Sequence, residues 1–352
     1  MSLLKNPPKN SMVALAILAA FFLATMTSVF AEGLSLITDP LDRNGFQYPV
    51  DLKTTAEDPS DLTVFWWNTR EGGAWSKKMF ANPLETNLKI LIQSDYQPDV
   101  LILGESMPGQ FEEETDVALN FRYPYHLYTP YGRFRDEMGI AIYSKYPFVA
   151  DQELLDWSPL FASKTEQILF KQKWRTSMNP QADKYYERPF IDVHLIKNDR
   201  LYHIVPVHLL NPWLAIADAL GRTKAGLVLM FGDDNPHFRQ TERLVYEKIM
   251  PLLRTVKLER SSLVLIGDFN MPDEYYGFSP KGYQLIESYM TPTVDPLFSE
   301  FTFPAISSDM TDQPVLRIDH AFVSKHVEVE QNVRLPLTGS DHYPIELKVR
   351  GR

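Results

Sequence analysis

The chain has 352 residues, a net charge of −10, 44% hydrophobic and 12% aromatic residues, and no cysteine. That apolar content fills a large core and excludes a disordered chain, while the lack of cysteine excludes disulfides, thiolate zinc sites and a cysteine nucleophile. The acidic balance excludes the broad basic surface typical of genomic DNA binders, although a local basic groove is compatible with it.

Lys5 and Lys9 are the only charged side chains before Glu32, and Ser11–Ala31 is an uncharged run dense in Ala, Leu, Phe and Val. A positive start, an apolar stretch and small residues at its end (Val29-Phe30-Ala31) make the plan of a secretory signal. The run is also long enough for an uncleaved anchor, since about 20 apolar residues span a bilayer. With cations before the span and none just after it, the bulk of the chain is expected outside the cytoplasm in either case. Residues 1–31 are therefore read as a signal peptide or membrane anchor. Removing them takes away two lysines and no acid, so the remainder carries −12.

Residues 32–60, with Pro40, Pro49 and Pro59 among polar side chains, read as a lead-in, and residues 61–352 as one domain. Short apolar segments predict strands at Leu62–Trp66, Val100–Leu103, Gly139–Tyr143, Phe190–Leu195, Leu201–Val207, Leu263–Ile266, Ile318–Val323 and Ile345–Val349. The polar turn Lys197–Arg200 predicts a hairpin. The apolar stripe Leu244, Val245, Ile249 predicts a helix from Phe238 to Met250 that Pro251 ends. Hairpins mixed with helical crossovers predict an α/β fold with mixed sheets, and a domain of this size calls for two of them packed face to face.

Polar side chains stand where these strands stop, the place where a rigid scaffold presents chemistry. Trp67 runs into Asn68, Gly104 into Glu105 and Val207 into His208, with Asn211 three residues on. Gly267 is followed by Asp268-Phe269-Asn270, Arg317-Ile318 by Asp319, and Gly339-Ser340 by Asp341-His342. Any one of these alone is most simply a turn residue, a surface acid or a helix cap. Together, acids, amides and histidines suit a hard, oxygen-ligated cation and a phosphate.

In this order, Trp67-Asn68, Glu105, Gly139-Ile140-Ala141, His208-Leu209, Gly267-Asp268-Phe269-Asn270, Arg317-Ile318-Asp319-His320 and Gly339-Ser340-Asp341-His342 resemble the motifs of the endonuclease/exonuclease/phosphatase superfamily. That group includes pancreatic-type deoxyribonucleases, abasic-site endonucleases, bacterial sphingomyelinases and inositol polyphosphate phosphatases. The resemblance spans Leu62 to Val349 and implies a four-layer sandwich, two central mixed β-sheets flanked by helices.

It further implies a metal-dependent phosphodiesterase. Glu105 is then the principal ligand of Mg2+ (with Mn2+ or Ca2+ as alternatives), Asn68 orients it or meets the metal's shell, and Asp341 shares in binding. Asp268 and Asn270 hold the attacking water and the phosphoryl oxygens, with Asp268 the candidate base. His342 contacts the phosphate while Asp319 fixes its tautomer. His208 and Asn211 occupy the place of a phosphate-contacting or leaving-group-protonating pair. His320 and the remaining histidines, His126, His194, His203, His237 and His326, read as structural or exposed, and Gly139 and Ala141 as packing residues.

Two features depart from the pattern. Arg70 stands where abasic-site endonucleases carry an acid, so it is read as a cation for a substrate phosphate. Gly232-Asp233-Asp234-Asn235 imitates the Gly-Asp-Phe-Asn element, but the helix before Asp268 and the Arg-Ile-Asp after it favour Asp268. Residues 212–237 then form an insertion. The expected partner is a phosphodiester substrate, nucleic acid before lipid, because Lys164, Lys171, Lys173, Trp174, Arg175, Lys184, Tyr185, Tyr186 and Arg188 mix cations and aromatics that grip phosphates and stack bases. Beyond a membrane tether through the N-terminal segment, the sequence points to no protein partner.

Overall fold

The computed structural model describes residues 62–149, 191–209, 235–256, 261–273, 279–293, 301–310 and 316–351, apart from 95–96, 132–137 and 306–307, together with 173–175, 187–189, 211, 231 and 258. The N-terminal segment, the lead-in, nearly all of the expected insertion at 212–237 and most of the cation- and aromatic-rich stretch from Lys164 to Arg188 lie outside the described residues. No helix among the described residues is long and apolar enough to cross a membrane.

The strands in chain order are β1 (Leu62–Asn68), β2 (Val100–Ser106), β3 (Tyr125–Pro130), β4 (Gly139–Ser144), β5 (Lys173–Arg175), β6 (Glu187–Pro189), β7 (Val193–Lys197) and β8 (Arg200–His208). They continue with β9 (Ser262–Asp268), β10 (Thr291–Pro292), β11 (Asp319–Val323), β12 (Glu328–Arg334) and β13 (Ile345–Arg350). The main helices are α1 (Pro83–Gln93), α2 (Glu113–Arg122), α3 (Pro236–Leu244), α4 (Met250–Thr255) and α5 (Lys281–Tyr289).

One sheet has six strands in the order β12-β13-β1-β2-β4-β3, and another has five in the order β10-β11-β9-β8-β7. Each contains one parallel pair, β1 with β2 and β8 with β9, among antiparallel neighbours. The expected α/β architecture of two mixed sheets with flanking helices is thus the observed one.

Strand alternation explains how the sheets meet. Val64 and Trp66 of β1 join Val100, Ile102, Ile140 and Ile142 in a cluster with Ile204, Val264, Ile266 and Ala321 of the second sheet. The other face of the second sheet, with Val205, Val207 and Leu265, packs against Phe238, Leu244, Leu253 and Ile286 of the helices. Two glycines permit close approaches that a side chain would block. Gly267 has φ +153° and faces the carbonyl of Val207 across the parallel β8–β9 pair, while a Cβ at Gly139 would strike Thr129 and Pro130 of β3.

Two expectations need correction. The helix does not end at Pro251 but continues as α4, after a π-helical stretch at Val245–Ile249. The wider turn absorbs the proline, which sits in the first turn of α4 where a missing N–H costs little. The strand expected at 190–195 is displaced to Val193–Lys197. Asn198 and Asp199, both with positive φ, make a tight turn that pairs Lys197 with Arg200, so turn geometry sets the register.

Candidate active site

The polar strand ends converge. Parallel register sets His208 of β8 opposite Asp268 of β9, and antiparallel register sets Asp268 opposite Asp319 of β11. Three functional side chains therefore stand in one row across the end of the second sheet. From the first sheet, β1 delivers Asn68 beside Gly104 of β2. The next residue, Glu105, sits at a β-bulge, where pairing shifts between Leu103 and Ser106, with φ +52°. A bulge re-aims a side chain, and a left-handed non-glycine residue is held only where surrounding contacts fix it. Here the backbone N–H of Glu71 donates to Glu105 Oε2 at 3.0 Å. Asn270 has φ +49°, a conformation that asparagine tolerates, and its N–H donates to Asp268 Oδ1 at 2.8 Å.

Asp268 is buried and faces donors from both sheets. Asn68 Nδ2 donates to Asp268 Oδ2 at 3.2 Å. His208 Nε2 is 3.6 Å from the same oxygen and 3.6 Å from Glu105 Oε1, and His342 Nε2 is 3.9 Å from it. His342 Nδ1 donates to Asp319 Oδ2 at 2.8 Å, and Asp319 Oδ1 accepts from the Trp66 indole at 2.8 Å. Trp66 thereby locks the carboxylate that fixes the His342 ring. The loop carrying Asp341 and His342 is tied to β1, because Ser340 Oγ donates to the Asn68 carbonyl at 2.5 Å and the Trp67 indole donates to the His342 carbonyl at 3.0 Å.

Sequence reading missed Tyr131, just past β3. Its hydroxyl accepts from the Glu105 N–H at 3.1 Å and lies 2.6 Å from His208 Nδ1. With carboxylates at Nε2, this arrangement assigns the His208 proton to Nε2 and lets Tyr131 donate to Nδ1. No spacing signal marks a lone tyrosine after an edge strand. Tyr131→Phe is expected to lower kcat/KM by about 10–100-fold, the scale for partners that orient a site ring. Leaving the Glu105 N–H without its acceptor also costs about 1–3 kcal/mol. Steady-state kinetics and thermal melting of the variant check both; a wild-type rate rejects the positioning role.

Burial and the charge of Asp319 push the Asp268 carboxyl up to about 8, against the opposing His342 charge and the Asn270 N–H. For His342, burial disfavours the imidazolium, but Asp319, Asp268 and Asp341 outweigh it and raise the ring to about 10. Burial also raises Asp341, aided by Glu105 and opposed by His342 and Arg70. His342 is raised above the unfolded value of about 6.5, so its stabilising contribution is complete below that pH and is lost as pH rises through about 10. Raised Asp268 acts in the same direction. Melting of the metal-free chain from neutral to alkaline pH should fall more steeply for wild type than for His342→Gln; parallel curves contradict this linkage.

Oxygen and nitrogen atoms of Asp268, Asp319 and His342 lie within 4.8 Å of one another, a spacing that suits an ion. Asp319 is however committed to Trp66 and His342. Glu105 raises the Asp341 carboxyl by repulsion, so two carboxylates, donors of the kind a hard cation takes, influence each other at this end of the sheets.

The other expected positions are also located. Arg70 Nε is 3.5 Å from Asp341 Oδ2; its Nη1 pairs with Asp309, and the guanidinium lies 5.7 Å from the Trp75 ring centre. Asn270 Nδ2 donates to the Leu209 carbonyl at 2.9 Å, bracing the ends of β8 and β9. Asn211 is exposed just beyond β8. His320 is structural, as expected: burial pushes it down to about 4, and its Nε2–H donates to the Met271 carbonyl at 2.7 Å. Asn235 of the imitating element serves as a helix cap, its Oδ1 accepting from the Phe238 N–H at 3.3 Å.

Two facing mixed sheets thus end in a cluster of Asn, Glu, Asp and His side chains. The model of the Endonuclease/Exonuclease/phosphatase family matches residues 65–342, and the chain belongs to that family. Its members are generally hydrolases of phosphoester bonds and bind divalent metals. Among solved structures it is similar to an endonuclease/exonuclease/phosphatase from Beutenbergia cavernae, with 16% identity over 83% of this chain and 72% of that one and a TM-score of 0.53. Sphingomyelinase C from Streptomyces griseocarneus matches with 14% identity over 82% and 99% of the two chains, TM-score 0.49. A variant of beta toxin from Staphylococcus aureus with bound magnesium ions matches with 15% identity over 83% and 100%, TM-score 0.49. No curated protein matches the chain in sequence.

Proposed function

We propose that the chain is an exported phosphodiesterase that uses Mg2+ held by Glu105 and Asp341, with Asn68 at the metal's shell. The observation that carries this reading is the Asp268 carboxylate, met at one oxygen by Asn68, His208 and His342 beside the Glu105–Asp341 pair. Mg2+ bound there offsets negative charge on the phosphoryl oxygens. Asp268 in its ionised form takes a proton from the attacking water; its raised pKa makes that form a stronger base than an ordinary carboxylate and one that predominates only above about pH 8. Cationic His342, held by Asp319, faces a phosphoryl oxygen through Nε2. His208 presents Nε2–H, a donor for a phosphoryl or leaving-group oxygen. Asn270 holds the turn that aims Asp268, and Arg70 and Asn211 supply polar contacts at the rim.

Nucleic acid is the proposed substrate, on the cations and aromatics between Lys164 and Arg188. A phospholipid head group is the second reading, favoured by one observation. Past Arg70, the loop with Lys77, Lys78 and Met79 exposes Phe80 completely, and its Trp75 meets Arg70 at the site. Cations around an exposed aromatic suit a membrane surface. Assays on DNA, RNA and sphingomyelin vesicles, with Mg2+ and with chelator, separate the readings. Cleavage of DNA or RNA alone supports the nuclease, and cleavage of vesicles alone transfers the assignment to lipid. Export rests on residues 1–31; full-length protein in the cytosol, found by fractionation and N-terminal sequencing, rejects it.

A further inference from the structure

A second group of metal-ligand side chains lies away from the active site. His194 of β7 and His203 of β8 are register partners, and their rings are 4.4 Å apart. Asp192, just before β7, joins them: its Oδ2 is 2.8 Å from His194 Nε2 and 3.7 Å from His203 Nδ1. All three are buried, with exposures of 6%, 5% and 0% for Asp192, His194 and His203. Alternation along β8 puts His203 on the face of Leu201, Val205 and Val207, which packs toward the helices. His208 is five residues on, so it points to the opposite face, about 16 Å further along the strand.

We propose that Asp192, His194 and His203 bind a divalent transition-metal ion of the zinc class, at a site distinct from the phosphoesterase centre. The three ligand atoms lie within 4.8 Å of one another. A tetrahedral ion with bonds of about 2.1 Å sets its ligand atoms about 3.4 Å apart, and the observed 2.8 and 3.7 Å bracket that spacing. Two imidazoles and one carboxylate select a borderline ion such as Zn2+ or Co2+ over Mg2+, which prefers oxygen and retains water. The electrostatics agree with the geometry. Burial and His194 lower His203 towards the neutral form that ligates, and the two histidines hold Asp192 ionised although burial opposes its charge. The ion would pin β7 to β8, the pair whose far end carries His208. The competing arrangement is metal-free, with Asp192 accepting hydrogen bonds from both rings.

The test is zinc titration of the full-length chain in excess Mg2+, with bound metal measured by elemental analysis after dialysis. Wild type and Glu105→Gln should each hold one tightly bound Zn2+ that His203→Gln and Asp192→Asn lack. Loss of a direct ligand should weaken affinity by more than the 10–100-fold typical of outer partners. Zinc should raise the melting temperature of wild type but not of these two variants. If wild type keeps no zinc, or His203→Gln and Asp192→Asn keep as much as wild type, the site does not exist. Should both variants fail to fold by circular dichroism, Co2+-loaded Glu105→Gln decides: visible absorption of tetrahedral cobalt supports the site, and a colourless protein overturns it.

Discussion

Asp268→Asn is expected to lower turnover by about 10²–10⁴-fold, the range over which a positioned acid or base contributes, while the fold and melting temperature hold. The physical reason lies in the contacts of this one side chain. Asn270 N–H donates to Oδ1, and Asn68 Nδ2 and His208 Nε2 face Oδ2. An asparagine oriented with its carbonyl toward Asn270 keeps that bond and nearly all the volume. What it loses is the ability to accept a proton and the hydrogen bond from Asn68 Nδ2, since its amide then faces donors. Burial and Asp319 already work against a charge at this position, and neutralising it offsets that lost bond. Steady-state kinetics together with thermal melting separate the two roles. Unaltered turnover removes Asp268 as the base, and a collapsed melting temperature with proportionate activity loss makes it a structural residue.

Glu105→Gln is expected to produce the other large loss, with a distinguishing dependence on metal. The glutamine can still accept from the Glu71 N–H, so the bulge and its left-handed backbone persist. The negative charge that attracts a divalent cation is gone, and Asp341 is relieved of a like-charged neighbour. Activity at low Mg2+ should fall by at least about tenfold for a change of one pKa-unit equivalent in cation binding, and raising Mg2+ should restore part of it. A variant whose rate and Mg2+ midpoint match wild type places the cation elsewhere, with Asp268, Asp319 and His342 the next group to examine.

Most strands legible in sequence lie inside the sheets. β1, β2, β4 and β9 carry nearly unbroken apolar runs because both faces are covered, and β13 alternates Ile345, Leu347 and Val349 with polar residues. The overlooked β3, β10 and β12 are all edge strands. In β12, Glu328, Glu330 and Gln331 are exposed around a bulge, so no two-residue alternation survives. In β3, Tyr125, His126 and Leu127 face solvent regardless of polarity. Asn68, Glu105, His208 and Asp268 were legible for a related reason: each closes or directly follows the apolar run of an interior strand. Tyr131 follows an edge strand, and Trp66 looked like pure core until its indole was seen to hold Asp319. The Asp192–His194–His203 group escaped notice because its members pair across a hairpin whose register is set by Asn198 and Asp199. Hydrophobic pattern says nothing about that turn.

The central claim is that this cluster hydrolyses phosphodiester bonds with a bound divalent cation. Its most direct measurement is the hydrolysis rate of a chromogenic phosphodiester by purified wild-type chain, with Mg2+ and with chelator, beside Asp268→Asn prepared identically. The account predicts hydrolysis by wild type that chelator abolishes and added Mg2+ restores, and none above background from Asp268→Asn. Hydrolysis that persists in chelator, or that Asp268→Asn shares at the wild-type rate, would contradict it.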